Sequence, residues 1–151
     1  MQYLLCFVLL MVSTAAHAAD TEPENLLALV NRARAEARTC GERQYDAVSP
    51  LTANAALQAA AQGHAADLAA RNELSHTGAN GSKLSDRVKQ QGYTYRRVGE
   101  NVIRSPFGVQ SAMKSWLKSP GHCANIMAPD FTEFGAAFEG LYGVQVFGRA
   151  K

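Results

Sequence analysis

The stretch Phe134-Gly135-Ala136-Ala137-Phe138, then Glu139-Gly140-Leu141, then Tyr142-Gly143-Val144-Gln145-Val146-Phe147 decides the fold class. Two short runs of aromatic, β-branched and small residues flank a segment that can turn, which predicts a β-hairpin. Upstream of it the chain reads mostly as helix. Val109, Met113, Trp116 and Leu117 recur at helical spacing behind Ser105-Pro106, where proline suits the first helical position. Ser119-Pro120-Gly121 predicts the stop of that helix, with His122 and Cys123 next. Tyr93 to Val98 alternates aromatic and polar residues and predicts a strand leading into Gly99-Glu100-Asn101-Val102-Ile103. Before it, Ala79-Asn80-Gly81-Ser82 predicts a turn, and Ser82 is placed to cap a short helix that stops at Gly92.

The alanine-rich segment from Thr52 to Arg71 predicts a long helix. Leu57, Ala61, His64 and Leu68 share one of its faces, so His64 points inward, as a hydrogen-bonded structural residue. Further back, Thr21-Glu22-Pro23-Glu24 has the form of a capping box. The helix it opens is expected to run to about Arg38, with Leu26, Val30, Ala33 and Ala37 on one face and Cys40-Gly41 ending it. An irregular stretch to Pro50 follows. Helices first and strands late predict an α+β domain, with helices packed on a small, mainly antiparallel sheet.

A chain of 151 residues, 47% hydrophobic and 19% charged, is one ordinary domain and not a disordered segment. A net charge of +2 carries no signature of a nucleic-acid or membrane-surface partner. The basic residues are dispersed: Arg32, Arg34 and Arg38 on a helix and Arg96-Arg97 beside a strand read as solvated faces. Leu4 to Val12 is an unbroken apolar run, too short for a membrane-spanning helix of about 20 residues. Small residues follow, ending in Ala16-His17-Ala18. Although Met1-Gln2-Tyr3 has no Lys or Arg, this pattern predicts a secretory signal over residues 1–18 and a single domain over 19–151. A secreted or periplasmic protein is expected, without a transmembrane segment and losing Cys6 with the signal. The two cysteines left, Cys40 and Cys123, are an even count that suggests a disulfide in an exported chain. Two free buried thiols are the alternative.

Three histidines remain beyond the signal. His76 and His122 sit at the ends of elements, and Glu100 lies between Gly99 and Asn101 at the start of an apolar stretch. Two histidines and a glutamate from separate segments could hold a divalent cation with an open position, or form an acid–base cluster without metal. No local metal motif such as H-E-x-x-H is present. Nucleophile options are poor. His122 and Cys123 are adjacent and point apart, and Ser75, Ser111 and Ser119 lack the G-x-S-x-G setting.

Taken in order, these pieces resemble a known family. Leu74-Ser75-His76-Thr77, Gly99-Glu100-Asn101-Val102 and Trp116 through Met127 are similar to the bacterial branch of the CAP superfamily. That superfamily holds the cysteine-rich secretory, antigen 5 and pathogenesis-related 1 proteins. Leu29-Val30-Asn31-x-x-Arg34, Ala61-x-x-His64-Ala65-x-Asp67-Leu68-Ala69 and Phe131-Thr132-Glu133-Phe134-Gly135 look like it too, so the likeness runs from about Asn25 to Phe147. The resemblance implies a three-layer α-β-α sandwich, secreted and often disulfide-bonded. It also implies a cleft with two histidines and two glutamates, where His76, Glu100 and His122 match three of the four. Ser119 stands where the other glutamate belongs, and Asn125 stands where glutamine is usual; both are expected to line the cleft. Glu133 reads as a surface residue at a strand entrance.

The resemblance implies no single activity, because fold alone does not fix chemistry. The first reading is a non-catalytic, monomeric binding module for a lipid, small molecule, protein partner or divalent cation. Zn²⁺ would bind weakly through His76, His122 and Glu100. The alternative is a metal-assisted hydrolase, peptidase or esterase, with Glu100 as catalytic base.

Overall fold

The computed structural model describes residues 22–151. The expected signal segment, Cys6 and Thr21 of the capping box lie outside the described residues. In chain order the elements are α1 (Glu22–Arg34), β1 (Arg38–Cys40), β2 (Arg43–Tyr45), β3 (Thr52–Ala53), α2 (Ala55–Arg71), α3 (Leu84–Gln90), β4 (Tyr95–Arg104), α4 (Gly108–Lys118), α5 (Pro120–Met127), β5 (Glu133–Glu139) and β6 (Tyr142–Ala150). Among the described residues, no helix is long and apolar enough to cross a membrane.

The predicted hairpin is β5–β6, turning at Gly140, whose φ of 55° lies in the left-handed region that glycine tolerates. It forms the middle of a four-stranded sheet ordered β3-β5-β6-β4, antiparallel throughout except for the short parallel pair β3–β5. Successive residues of β6 serve opposite faces. Phe147 joins a core with Leu26, Val30, Trp116, Ile126 and Phe134, while Val144 and Val146 join Leu57, Leu68 and Val88. The run Tyr142–Gly148 is therefore buried without alternation, as expected of a strand covered on both faces. The architecture is α+β, a three-layer α-β-α sandwich. One outer layer is α1, α4 and α5; the other is α2 and α3. Gly135 permits the close seat of α2: a Cβ there would run into the backbone of Leu57 and Gln58.

Several boundaries differ from expectation, each for a local reason. The long helix begins at Ala55, not Thr52, because Asn54 is the N-cap and Thr52–Ala53 pair with Glu133–Phe134. Lys83, not Ser82, occupies the cap position of α3, where the Asp86 carboxylate accepts from the Lys83 N–H at 2.9 Å. Helix α4 starts at Gly108, past Ser105-Pro106. Pro120 ends α4 and at once takes the first helical position of α5, a helix that sequence reading missed. The stretch after α1, which ends at Arg34 and not near Arg38, holds the β1–β2 hairpin, turning through Gly41 at φ 64°.

Arg34 corrects a further expectation. It is not on a solvated face but fully buried, donating to the carbonyls of Ser49 (2.8 Å), Ile126 (2.7 Å), Ala128 (3.0 Å) and Phe131 (3.3 Å). The guanidinium thereby supplies the end of α5 with the donors its last carbonyls lack. Cys40 and Cys123 form a disulfide that ties β1 to α5 across 83 residues.

Candidate functional site

Glu100 sits near the centre of β4, its side chain only 3% exposed. A carboxylate so placed needs partners for both oxygens. Oε2 accepts from Arg87 Nη2 at 2.7 Å, and Oε1 accepts from His76 Nδ1 at 2.9 Å. Arg87 also donates through Nη1 to the carbonyls of His76 (3.2 Å) and Ser82 (3.0 Å). His64, buried on the sheet-facing side of α2, donates from Nε2 to the carbonyl of Ser75 at 2.9 Å, and its ring lies 4.0 Å from Glu100 Oε1. The loop after α2 is thus pinned at Ser75 by His64, at the His76 backbone by Arg87 and at the His76 ring by Glu100. His76 itself remains 61% exposed. With Nδ1–H directed at Glu100, its neutral ring presents the Nε2 lone pair outward.

His122 comes from the other outer layer, on α5. A buried amide network joins that helix to β4. Asn101 Nδ2 donates to the His122 carbonyl (3.1 Å) and to Gln145 Oε1 (2.9 Å). Asn125 Nδ2 donates to the Glu100 carbonyl (3.2 Å) and to Asn101 Oδ1 (2.9 Å). Asn125 is half-buried and spans the seam between α5 and β4. Ser119, also half-buried, is the N-cap residue of α5, one helical turn before His122, and its hydroxyl makes no capping bond.

The two imidazoles differ electrostatically. The Glu100 hydrogen bond holds the His76 pKa above the ordinary histidine value, against the pull of partial burial and of Arg87. Burial first, and the charge of His76 second, push His122 down. Burial likewise lowers His64, although Glu100 works in the other direction. The site therefore pairs an exposed imidazole that takes up a proton more readily than usual with one that does so less readily.

Two imidazoles and a carboxylate are suitable donors for a divalent cation in kind. Among the described residues, however, no three His, Cys, Asp or Glu side chains are grouped so as to hold a metal ion. Glu100 has both oxygens engaged, and the Arg87 guanidinium beside it opposes a cation at that carboxylate. His76 is exposed and His122 half-buried, and Glu100 stands behind His76 in the bracing place a carboxylate takes behind a metal-bound histidine. Glu133 is engaged as well, accepting from Asn54 Nδ2 (2.8 Å) and Tyr93 Oη (2.6 Å). Behind the cluster lies a pocket of about 330 Å³, whose wall includes Gly63, His64, Asp67, Ser82 and Arg87.

Sequence reasoning missed Arg87 and Gln145, which act through partners far along the chain that no local pattern marks; Asn101 it placed in the Gly99-Glu100-Asn101 motif without giving it a role.

The profile of the cysteine-rich secretory protein family matches residues 27–147. Two curated relatives, both from Bacillus subtilis (strain 168), carry the names uncharacterized protein YkwD and uncharacterized membrane protein YlbC. YkwD is 29% identical over 100 residues, which is 66% of this chain and 39% of that one. YlbC is 29% identical over 85 residues, 56% of this chain and 25% of that one. The chain thus spans well under half the length of either. Among solved structures, an extracellular protein containing a SCP domain from Bacillus anthracis superposes with a TM-score of 0.74 at 24% identity, over 85% of this chain and 40% of that one. Venom allergen-like protein 4 of Schistosoma mansoni superposes with a TM-score of 0.64 at 16% identity, over 88% and 91%.

Proposed function

The chain belongs to the cysteine-rich secretory protein family, and from that premise we propose that it is an extracellular binding module without turnover, whose ligand meets the paired imidazoles of His76 and His122. An extracellular setting is in keeping with the Bacillus anthracis protein of like fold.

The observation that carries this reading is the double engagement of Glu100. A general base must have a free lone pair aimed at the reacting proton. Glu100 is sealed beneath the surface and spends its two oxygens on Arg87 and His76. Among the described residues no serine or cysteine side chain is hydrogen-bonded to the His76 or His122 ring, so the constellation of a covalent hydrolase is not assembled among them. What Glu100 does well in this position is orient His76. An oriented imidazole suits a ligand's hydroxyl or carbonyl, or a divalent cation held between two histidines. If Zn²⁺ binds, His76 and His122 would hold it and water would fill the remaining positions; its chemistry would be that of a Lewis acid. With two neutral ligands and Arg87 nearby, affinity would be weak.

Calorimetric titration with ZnCl₂, followed by peptidase and esterase screens with and without chelator, tests the reading. Weak binding abolished in the His76→Ala, His122→Ala double variant, together with no turnover, is expected. Chelator-sensitive hydrolysis lost in that variant would replace this reading with a metal-assisted hydrolase.

A further inference from the structure

β4 is an outer strand in the order β3-β5-β6-β4, so β6 pairs only one of its edges. The register tells which groups face away. Ser105 N–H donates to the Leu141 carbonyl at 2.7 Å, one step beyond the Arg104–Tyr142 pair. Main-chain groups alternate along an antiparallel pair, so Ile103, Asn101, Gly99 and Arg97 also turn theirs to β6. Val98, Glu100, Val102 and Arg104 turn theirs outward. Two side-chain contacts agree. The Glu100 carbonyl accepts from Asn125 Nδ2 at 3.2 Å, and the Val102 carbonyl accepts from Trp116 Nε1 at 3.3 Å. Among the described residues no acceptor meets the N–H of Val98, Glu100 or Val102, and no donor meets the Val98 carbonyl. Glu100 is 8% exposed as a whole but 3% in its side chain, so what solvent reaches there is chiefly main chain.

Edge strands are commonly blunted by charge, proline or a bulge. β4 has such devices at its ends, a register shift between Tyr95 and Arg97 and the exposed Arg104. Between Val98 and Val102 it has none, because its one charged side chain there, Glu100, is turned inward onto Arg87 and His76. This open stretch lies between the two imidazoles. His76 bonds to Glu100 from the loop after α2, and α5, which carries His122, is joined to Glu100 and Asn101 through Asn125. The two outer layers thus flank the edge on both faces.

We propose that the ligand of this site is an extended polypeptide strand, added to the outer edge of β4 from Val98 to Val102 and running between His76 and His122. Its carbonyls accept from the N–H groups of Val98, Glu100 and Val102, and one of its N–H groups donates to the Val98 carbonyl. The main-chain ladder supplies affinity, while alternate side chains of the strand face His76 on one side and His122 on the other. The inference rests on the reading of those two histidines as ligand contacts. An added strand sits about 4.8 Å from its neighbour and asks for no wider gap. A second copy of this chain would bring its own α5 and 72–83 loop against these, so the occupant is a single strand of another polypeptide.

Selection of a random dodecapeptide phage library on the immobilised full chain, followed by synthesis of the enriched peptides, tests this. N-methylation at every second residue of an enriched peptide should weaken binding roughly tenfold per site, and the residues between should tolerate it. Val98→Pro removes one outward donor and spares the β4–β6 ladder, as proline does on an edge. Checked for an unchanged thermal midpoint, it should bind roughly tenfold more weakly. Amide hydrogen exchange on the wild-type chain gives a reading that needs no variant to fold: peptide should protect the Val98, Glu100 and Val102 amides. The proposal fails if no peptide is enriched, if N-methylation shows no alternation, if those amides gain no protection, or if folded Val98→Pro binds as well as wild type. It fails also if sedimentation shows a dimer that Val98→Pro dissolves, which would give the edge to a second copy. Zinc calorimetry separates this inference from the reading beneath it. Zinc held through His76 and His122 with no peptide enriched keeps the imidazole reading and removes the strand. Alternating N-methyl sensitivity that is unchanged in the His76→Ala, His122→Ala variant keeps the strand on the edge and removes the imidazoles as its contacts.

Discussion

His76 Nδ1 lies 2.9 Å from Glu100 Oε1, an exposed imidazole standing on a sealed carboxylate. Removing the charge while keeping the shape, with Glu100→Gln, should bring the His76 pKa down from its raised position, because the hydrogen bond to the carboxylate is the largest cause of the rise. The sign for stability follows. A histidine raised in the folded state contributes stability that is present below its unfolded value and lost as pH rises through the folded value. Glu100→Gln should remove that dependence. An NMR titration of the His76 ring and denaturant unfolding at several pH values check both statements. An unmoved His76 titration would show that the pair does not govern the ring.

How much of this was legible in the sequence depends on the range of the contact. The β5–β6 hairpin and the inward face of α2 rest on local periodicity, which the chain displays openly. The three-layer arrangement came instead from the family resemblance of motifs such as Gly99-Glu100-Asn101. The resemblance set His76 in one cleft with Glu100, but the Arg87 partner could not be read, since it reaches Glu100 from a separate segment and no spacing rule links them. Arg34 failed for a related reason. Its position on α1 looks like any basic surface position, and only the end of α5, folded over it, makes it a buried clamp. Helix α5 was hidden because Pro120-Gly121 signals a stop as strongly as a start.

Within α2, His64 should behave as a neutral buried imidazole. Burial lowers its pKa most, ahead of the opposing influence of Glu100. The unfolded chain therefore takes up a proton near the ordinary histidine value of about 6.5 while the folded chain resists. This part of the stability is present above that value and is lost as pH falls through it toward the lower folded pKa. His64→Ala should cost on the order of 1–3 kcal/mol at neutral pH, from the cavity and the unpaired Ser75 carbonyl, and should flatten the acid-side loss. Urea unfolding on either side of the ordinary histidine range measures both. Wild-type stability combined with lost ligand binding would instead make His64 a ligand residue.

Arg34 should tolerate no substitution quietly. Its burial pulls the guanidinium pKa down to about 10, so it is charged at every physiological pH. Four carbonyls depend on its fork. Arg34→Lys keeps the charge but loses the planar geometry and two nitrogens; Arg34→Met loses every donor. Each carbonyl left dry costs about 1–3 kcal/mol before water or backbone relaxation recovers part of it. Thermal unfolding should rank wild type above Arg34→Lys, and Arg34→Lys above Arg34→Met. A lysine variant as stable as wild type would mean that charge alone, not geometry, holds the end of α5.

Ser119 offers the sharpest test of the histidine pair. It occupies the place where the family resemblance calls for a second glutamate, at the N-cap of α5 and three residues before His122. Residues three apart on a helix face the same side, so a longer side chain at 119 extends toward His122. Glu100 is engaged beneath His76, and among the described residues no carboxylate is paired with the His122 ring. Ser119→Glu would supply one, and the helix N-terminus would favour its negative charge. The hydroxyl it replaces makes no capping bond, so the change should cost little stability. Zinc affinity should rise roughly tenfold, about 1.4 kcal/mol. The gain should vanish in the His76→Ala, His122→Ala background. Affinity should fall as pH drops through the histidine range, because protonated imidazoles do not bind metal. Calorimetry on the four combinations, at two pH values, decides it. An unchanged affinity in Ser119→Glu would place position 119 outside the reach of the pair, and a gain that survives loss of both histidines would place the ion elsewhere.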